Sequence, residues 1–142
     1  MLEELGLSYE IESFELGSSD MRSDTYRALH PMGRVPTLVD GDITLYESGA
    51  ILQYLLAKYG AGRFIPDINS AAFAVNLQWF HYAEGMIMPP MNTIVVETIL
   101  LPPERRNEVN VKRATKLLGQ MLTSVEQQLE GKTFLLGEHL LA

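Results

Sequence analysis

At 142 residues the chain can hold one domain or two small modules sharing a core, and a chain of that size buries roughly 68–70% of its unfolded surface. Hydrophobic residues make up 46% and charged residues 20%, a folded rather than disordered composition, and the net charge of −7 opposes nucleic-acid binding, which rewards clustered Lys and Arg. There is no cysteine, which excludes disulfides, thiolate metal sites and a cysteine nucleophile within these residues.

His30, His81 and His139 stand far apart without metal-binding spacing, so no metal site is expected. No apolar run reaches the length of a membrane span and no basic-then-apolar leader opens the sequence, so a soluble, cytoplasmic protein is expected.

In chain order, Met1–Gly6 reads as the end of a helix, with Gly6 as its stop. The alternation Tyr9, Ile11, Phe14, Leu16 predicts a strand with one slip in phase. A weak helix follows around Met21–Leu29, with Ser18, Ser19 and Asp20 as candidate caps. Val35–Val39 and Ile43–Tyr46 are β-branched and apolar, and Asp40-Gly41 between them suits a two-residue type I′ turn.

Pro36 has two readings on its residues alone: an ordinary strand-opening proline, or a cis proline that leaves the Val35 backbone unpaired and facing outward. Glu47-Ser48 then opens a helix whose apolar face is Ile51, Leu52, Leu55, Leu56 and Tyr59, ending at Lys58 and Gly60. Glycine, proline and asparagine in 61–69 mark a connector, and Ser70 caps a long helix rich in apolar residues around Trp79. Pro89-Pro90 predicts a kink or break in it. Pro102-Pro103 suits the first turn of the next helix, whose apolar positions run from Ala114 to Leu129 before Gly131 ends it. Nothing repeats at a period of 20–50 residues.

The strings PMGRVPTL, then DITLYESGAI, then YLLAKYG resemble the signature of the cytosolic glutathione S-transferases, of bacterial type. The resemblance implies an α/β plus all-α chain: a partial thioredoxin-like glutathione-binding module over 1–60, a linker over 61–69, and a partial helical-bundle module over 70–142. It also implies that the sequence is cut at both ends. The first strand and its thiol-activating residue are expected upstream of Met1, and the next helix beyond FLLG is expected past Ala142, where Leu141 replaces the usual hydroxyl cap.

By the same resemblance Pro36 is cis, and the Val35 backbone pairs with the cysteinyl part of glutathione in a β-augmentation mode. Ser48, at a helix N-terminus, and Glu47 would take the γ-glutamyl carboxylate and ammonium; by themselves they are a helix cap. Arg34 would meet the glycyl carboxylate, or else is a solvated turn residue. Tyr82 and Met86 are the expected contributors to a pocket for a hydrophobic electrophile, while Trp79, Phe80, Met88 and Met91 read as core. Tyr9, Ser18 and Ser19 do not match the place of a thiol activator.

The expected activity is addition of glutathione thiolate to an electrophilic small molecule, in a detoxifying homodimer. It requires a thiol pKa brought down from about 8.5 toward neutrality. The alternatives are a non-catalytic glutathione-binding or scaffold protein of the same fold, and an inactive fragment.

Overall fold

The computed structural model describes residues 1–15, 17–137 and 140. Two units divide it, residues 1–63 and 64–142.

The first unit is built around an antiparallel hairpin. Strand β1 (Thr37–Asp40) pairs with β2 (Ile43–Tyr46) in the register Thr37↔Tyr46 to Asp40↔Ile43. Because Asp40 is still paired, the turn residues are Gly41 and Asp42, not Asp40 and Gly41. Gly41 alone of the two has positive φ (61°). A type I′ turn needs it at both positions, so the expected turn type is corrected to one with glycine first, the II′ pattern.

Helix α3 (Ser48–Tyr59) packs against the hairpin and buries Leu55 and Leu56. Gly60 follows it with ordinary helical φ; a Cβ there would meet the Leu56 carbonyl oxygen at 2.3 Å. Its missing side chain matters for closeness, not for handedness.

Ahead of the hairpin stand α1 (Leu2–Leu5), ended by Gly6 at φ 70°, a 3₁₀ turn (Asp20–Arg22), and α2 (Asp24–Leu29). The cap of α2 is Ser23, whose Oγ accepts from the Tyr26 N–H at 3.2 Å, rather than Ser18, Ser19 or Asp20. Ser18 instead accepts from Asp20 N–H at 3.1 Å, and Ser19 precedes the 3₁₀ turn.

The strand expected over Tyr9–Leu16 is not formed: residues 9–15 make no ladder, and Leu16 lies outside the described residues. Alternation marks a chain that could pair, but only a neighbour supplies the hydrogen bonds that make a strand. Between this segment and β1 lies a cavity of about 800 Å³ instead, lined among others by Tyr9, Ile11, Phe14, Val35, Leu38 and Val39.

The second unit is helical. Ser70 caps α4 (Ala71–Tyr82) as expected, its Oγ accepting from Phe73 N–H at 3.3 Å. The helical path does not break at Pro89-Pro90. It widens into a π turn (Ala83–Ile87), and both prolines fall at the start of α5 (Met88–Val95), where a missing donor is tolerated. A second π turn (Val96–Leu100) follows.

Pro103 opens a separate 3₁₀ turn (Pro103–Arg105), and the long helix α6 begins only at Glu108 and runs to Leu129. Asn107 caps it, accepting from the N–H groups of Val109 at 2.9 Å and Asn110 at 3.3 Å. Glu97, buried, reaches back from the second π turn to accept from Asn107 N–H at 2.7 Å and Asn110 Nδ2 at 2.8 Å. The Asn110 bond and then the Asn107 bond hold its carboxyl below the usual carboxylate range. Gly131 (φ 69°) lies just past the helix. His139 and Leu141 lie outside the described residues.

Candidate functional site

Register brings the two halves of the sequence motif to one place. The last pair of the ladder is Thr37↔Tyr46, so Pro36 and Glu47 flank it, with Val35 and Ser48 the next residues out along each chain. Both pairs therefore stand at the open end of the hairpin, where α3 begins. The Val35–Pro36 peptide is cis. Val35 is 58% exposed, and its N–H has no hydrogen-bond partner among the described residues.

Glu47 is the residue ahead of the first helical turn, exposed, at φ 74° and ψ 113°, and its side chain makes no capping bond. Ser48, half-buried, is the first residue of α3. The first turn of α3 carries no acidic side chain to neutralise the partial positive charge of its N-terminus. Arg34, exposed, precedes Val35 at the same end.

Three contacts fasten this loop. Gly33 has φ 59°, and a Cβ there would sit 2.2 Å from the Met21 carbonyl oxygen, so only glycine fits. His30 is buried, accepts at Nδ1 from Met32 N–H (3.2 Å), and lies with its ring 4.7 Å from that of Tyr46. Tyr26, 7% exposed, donates its hydroxyl proton to the Arg34 carbonyl at 2.7 Å and stands 3.1 Å from Thr37 Oγ1. Its partners are eight and eleven residues on, beyond any local spacing rule.

At the other end of the hairpin, Asp40 Oδ2 accepts from Tyr54 Oη (2.7 Å), Lys58 Nζ (2.9 Å) and Tyr59 Oη (2.5 Å). These bonds, Tyr59's foremost, then Lys58's and Tyr54's, hold the Asp40 pKa down to about 2. They stitch the end of β1 to the last turns of α3.

The hydroxyl of Tyr9 donates to Glu3 Oε1 at 2.6 Å, and that bond to a carboxylate raises its pKa. A tyrosine so held is poorly suited to stabilise a thiolate. In the second unit Tyr82 is engaged, its hydroxyl donating to the Met121 carbonyl at 3.2 Å, whereas Met86 is 43% exposed. Among the described residues no cluster of three His, Cys, Asp or Glu could hold a metal ion, and no helix is long and apolar enough to cross a membrane.

A cis-proline hairpin feeding a helix N-terminus, followed by a helical unit, defines a thioredoxin-like domain joined to an all-helical one. Residues 1–63 match the sequence model of the glutathione S-transferase N-terminal domain, and nearly the whole chain is similar to glutathione S-transferases. It is 34% identical to glutathione S-transferase 4 of Zea mays, over 98% of this chain and 63% of that protein. It is 28% identical to glutathione S-transferase F10 of Arabidopsis thaliana, over 96% and 65%.

Among solved structures it resembles the glutathione transferase URE2P6 of Phanerochaete chrysosporium in complex with oxidized glutathione. The TM-score is 0.85 at 26% identity, covering 99% of this chain and 64% of that one. A glutathione transferase family member from Pseudomonas fluorescens, with two glutathione bound, gives a TM-score of 0.86 at 25% identity, covering 99% and 63%. The chain thus spans less than two thirds of the length of these relatives.

Proposed function

We propose that the open end of the hairpin binds glutathione. In this reading the Val35 backbone pairs with the cysteinyl segment as an added strand would. Ser48 and the first amides of α3 take the γ-glutamyl carboxylate, Glu47 takes the ammonium, and Arg34 takes the glycyl carboxylate. The observation that carries the reading is the hairpin register, whose last pair, Thr37↔Tyr46, is flanked on one chain by the cis Val35–Pro36 peptide and on the other by Glu47–Ser48.

The protein is then a transferase that adds glutathione thiolate to an apolar electrophile, with glutathione as co-substrate and no metal. A cytoplasmic, dimeric, detoxifying role belongs to the same proposal. Residues 1–60 form the glutathione-binding module, 61–69 the linker and 70–142 the helical module, with Met86 toward the electrophile.

Titration calorimetry with glutathione tests the binding step. Saturable binding is expected, weakened at least tenfold by Ser48→Ala or Glu47→Gln, and absence of binding by the folded wild type overturns the proposal. Turnover of an aryl halide then separates the two activities of the fold. Binding with turnover supports the transferase, and binding without turnover assigns a glutathione-binding protein.

A further inference from the structure

Tyr26 is absent from the sequence motif, yet it is the buried group nearest in bonding to the peptide ahead of Pro36. Its single hydroxyl proton goes to the Arg34 carbonyl at 2.7 Å. The 3.1 Å contact with Thr37 Oγ1 must then be donated by the threonine. The result is a chain of two bonds, Thr37 hydroxyl to Tyr26 oxygen and Tyr26 hydroxyl to Arg34 carbonyl, spanning the segment from residue 34 to residue 37.

The Arg34 carbonyl and the Val35 N–H are the two ends of one planar trans peptide group. A bond that fixes the direction of the carbonyl oxygen fixes the N–H on the opposite side. Tyr26 is buried and Val35 is 58% exposed, so the carbonyl is held inward and the N–H is turned out, where it meets no partner among the described residues. A hydrogen bond accepted by the carbonyl also polarises the amide and strengthens its N–H as a donor. The ring of Tyr26 is itself held, edge-on to Phe14 with centroids 4.8 Å apart and an interplanar angle of 61°.

We propose that Tyr26 is a positioning residue for ligand binding: by holding the Arg34 carbonyl it aims and strengthens the Val35 N–H that receives the cysteinyl carbonyl of glutathione. The inference rests on the glutathione reading of the site but concerns one donor only, so it can fail separately.

The test compares wild type with Tyr26→Phe, which keeps the ring against Phe14, using two ligands. Glutathione carries the cysteinyl carbonyl; γ-glutamyl ethylamide keeps the glutamyl group and the amide N–H but lacks that carbonyl. Tyr26→Phe is expected to weaken glutathione about five- to tenfold, the worth of one hydrogen bond, and to leave γ-glutamyl ethylamide unchanged. Thr37→Val, which leaves the Tyr26–Arg34 bond in place, should weaken glutathione less than Tyr26→Phe does.

Equal loss for both ligands would show a merely structural role and overturn the inference, as would no loss for either. The amide proton shift of Val35 in the free protein gives a reading independent of any ligand, and should move upfield in Tyr26→Phe. If wild type binds no glutathione the site reading fails, while an unmoved Val35 amide would sink the Tyr26 inference on its own ground.

Discussion

Glu47 holds φ 74° and ψ 113°, a region that costs a residue bearing a Cβ about 1–3 kcal/mol. Its carbonyl accepts from Ile51 N–H at 3.0 Å, but its side chain makes no capping bond to offset this. The conformation turns the chain from β2 into α3 and leaves the carboxylate exposed at the site. Glu47→Gly should therefore raise stability by about 1 kcal/mol, the relieved strain exceeding the added unfolded-state entropy. The same variant should lose at least tenfold in glutathione affinity with the carboxylate. Glu47→Ala provides the contrast, with the same affinity loss and no gain in stability. Urea midpoints of the three proteins check this, and a glycine variant no more stable than the alanine one would mean the backbone there is unstrained.

Elements written by local rules were legible in the sequence. The hairpin strands, the helix opening at Ser48, the Ser70 cap and the stops at Gly6 and Gly131 depend on neighbours within about nine residues, and each is present. The Tyr9–Leu16 strand was not legible because pairing is a tertiary event; alternation there describes a segment without saying whether a partner exists. The caps Ser23 and Asn107 were obscured by Ser18, Ser19 and the Pro102-Pro103 pair, which promised helix starts a few residues too early. In the site, Val35, Pro36, Glu47 and Ser48 could be named from the motif. Tyr26 and His30 could not, and the motif's Gly33 gave no sign of its approach to Met21, since the work of all three is done by contacts across the fold.

The junction of β1 with α3 carries a pH dependence of its own. Asp40 has a pKa held at about 2, below its unfolded value near 3.9. A depressed carboxylate adds stability that is fully present above the unfolded pKa and is lost as pH falls through the folded one. The Lys58 pKa is raised, chiefly by the hydrogen bond with Tyr54 and then by Asp40 and Tyr59. Its contribution is therefore present below the unfolded lysine value near 10.4 and fades above it. Asp40→Asn keeps an acceptor for the tyrosines but not the charge. Wild type should exceed Asp40→Asn in urea midpoint between about pH 4 and 10, and the two should converge toward pH 2. Because the Lys58 side chain is 44% exposed, the gap should narrow in 1 M salt. A gap that persists unchanged at pH 2 would mean that packing, not charge, makes the difference.

In the first unit, the sheet of the described residues has two strands, and an isolated hairpin is marginally stable in water. Strand β1 offers its second edge to the cavity of about 800 Å³, across which residues 7–12 run without strand pairing. An open edge beside apolar lining is a template for pairing with another chain. The cavity lining carries Glu10, Glu12 and Asp40 and no Lys, Arg or His, so charge does little to blunt the edge from a basic segment. Residues 1–142 expressed alone should therefore associate as their concentration rises, and should brighten the apolar dye ANS while folded. Val39 lies on that edge at 57% exposure, so a lysine there loses little packing. Val39→Lys should suppress association in sedimentation velocity while leaving the thermal midpoint nearly unchanged, as lysines do on natural sheet edges. Association undiminished in this variant would move the sticky surface to the second unit, where Ile99 and Val109 are 60% and 72% exposed.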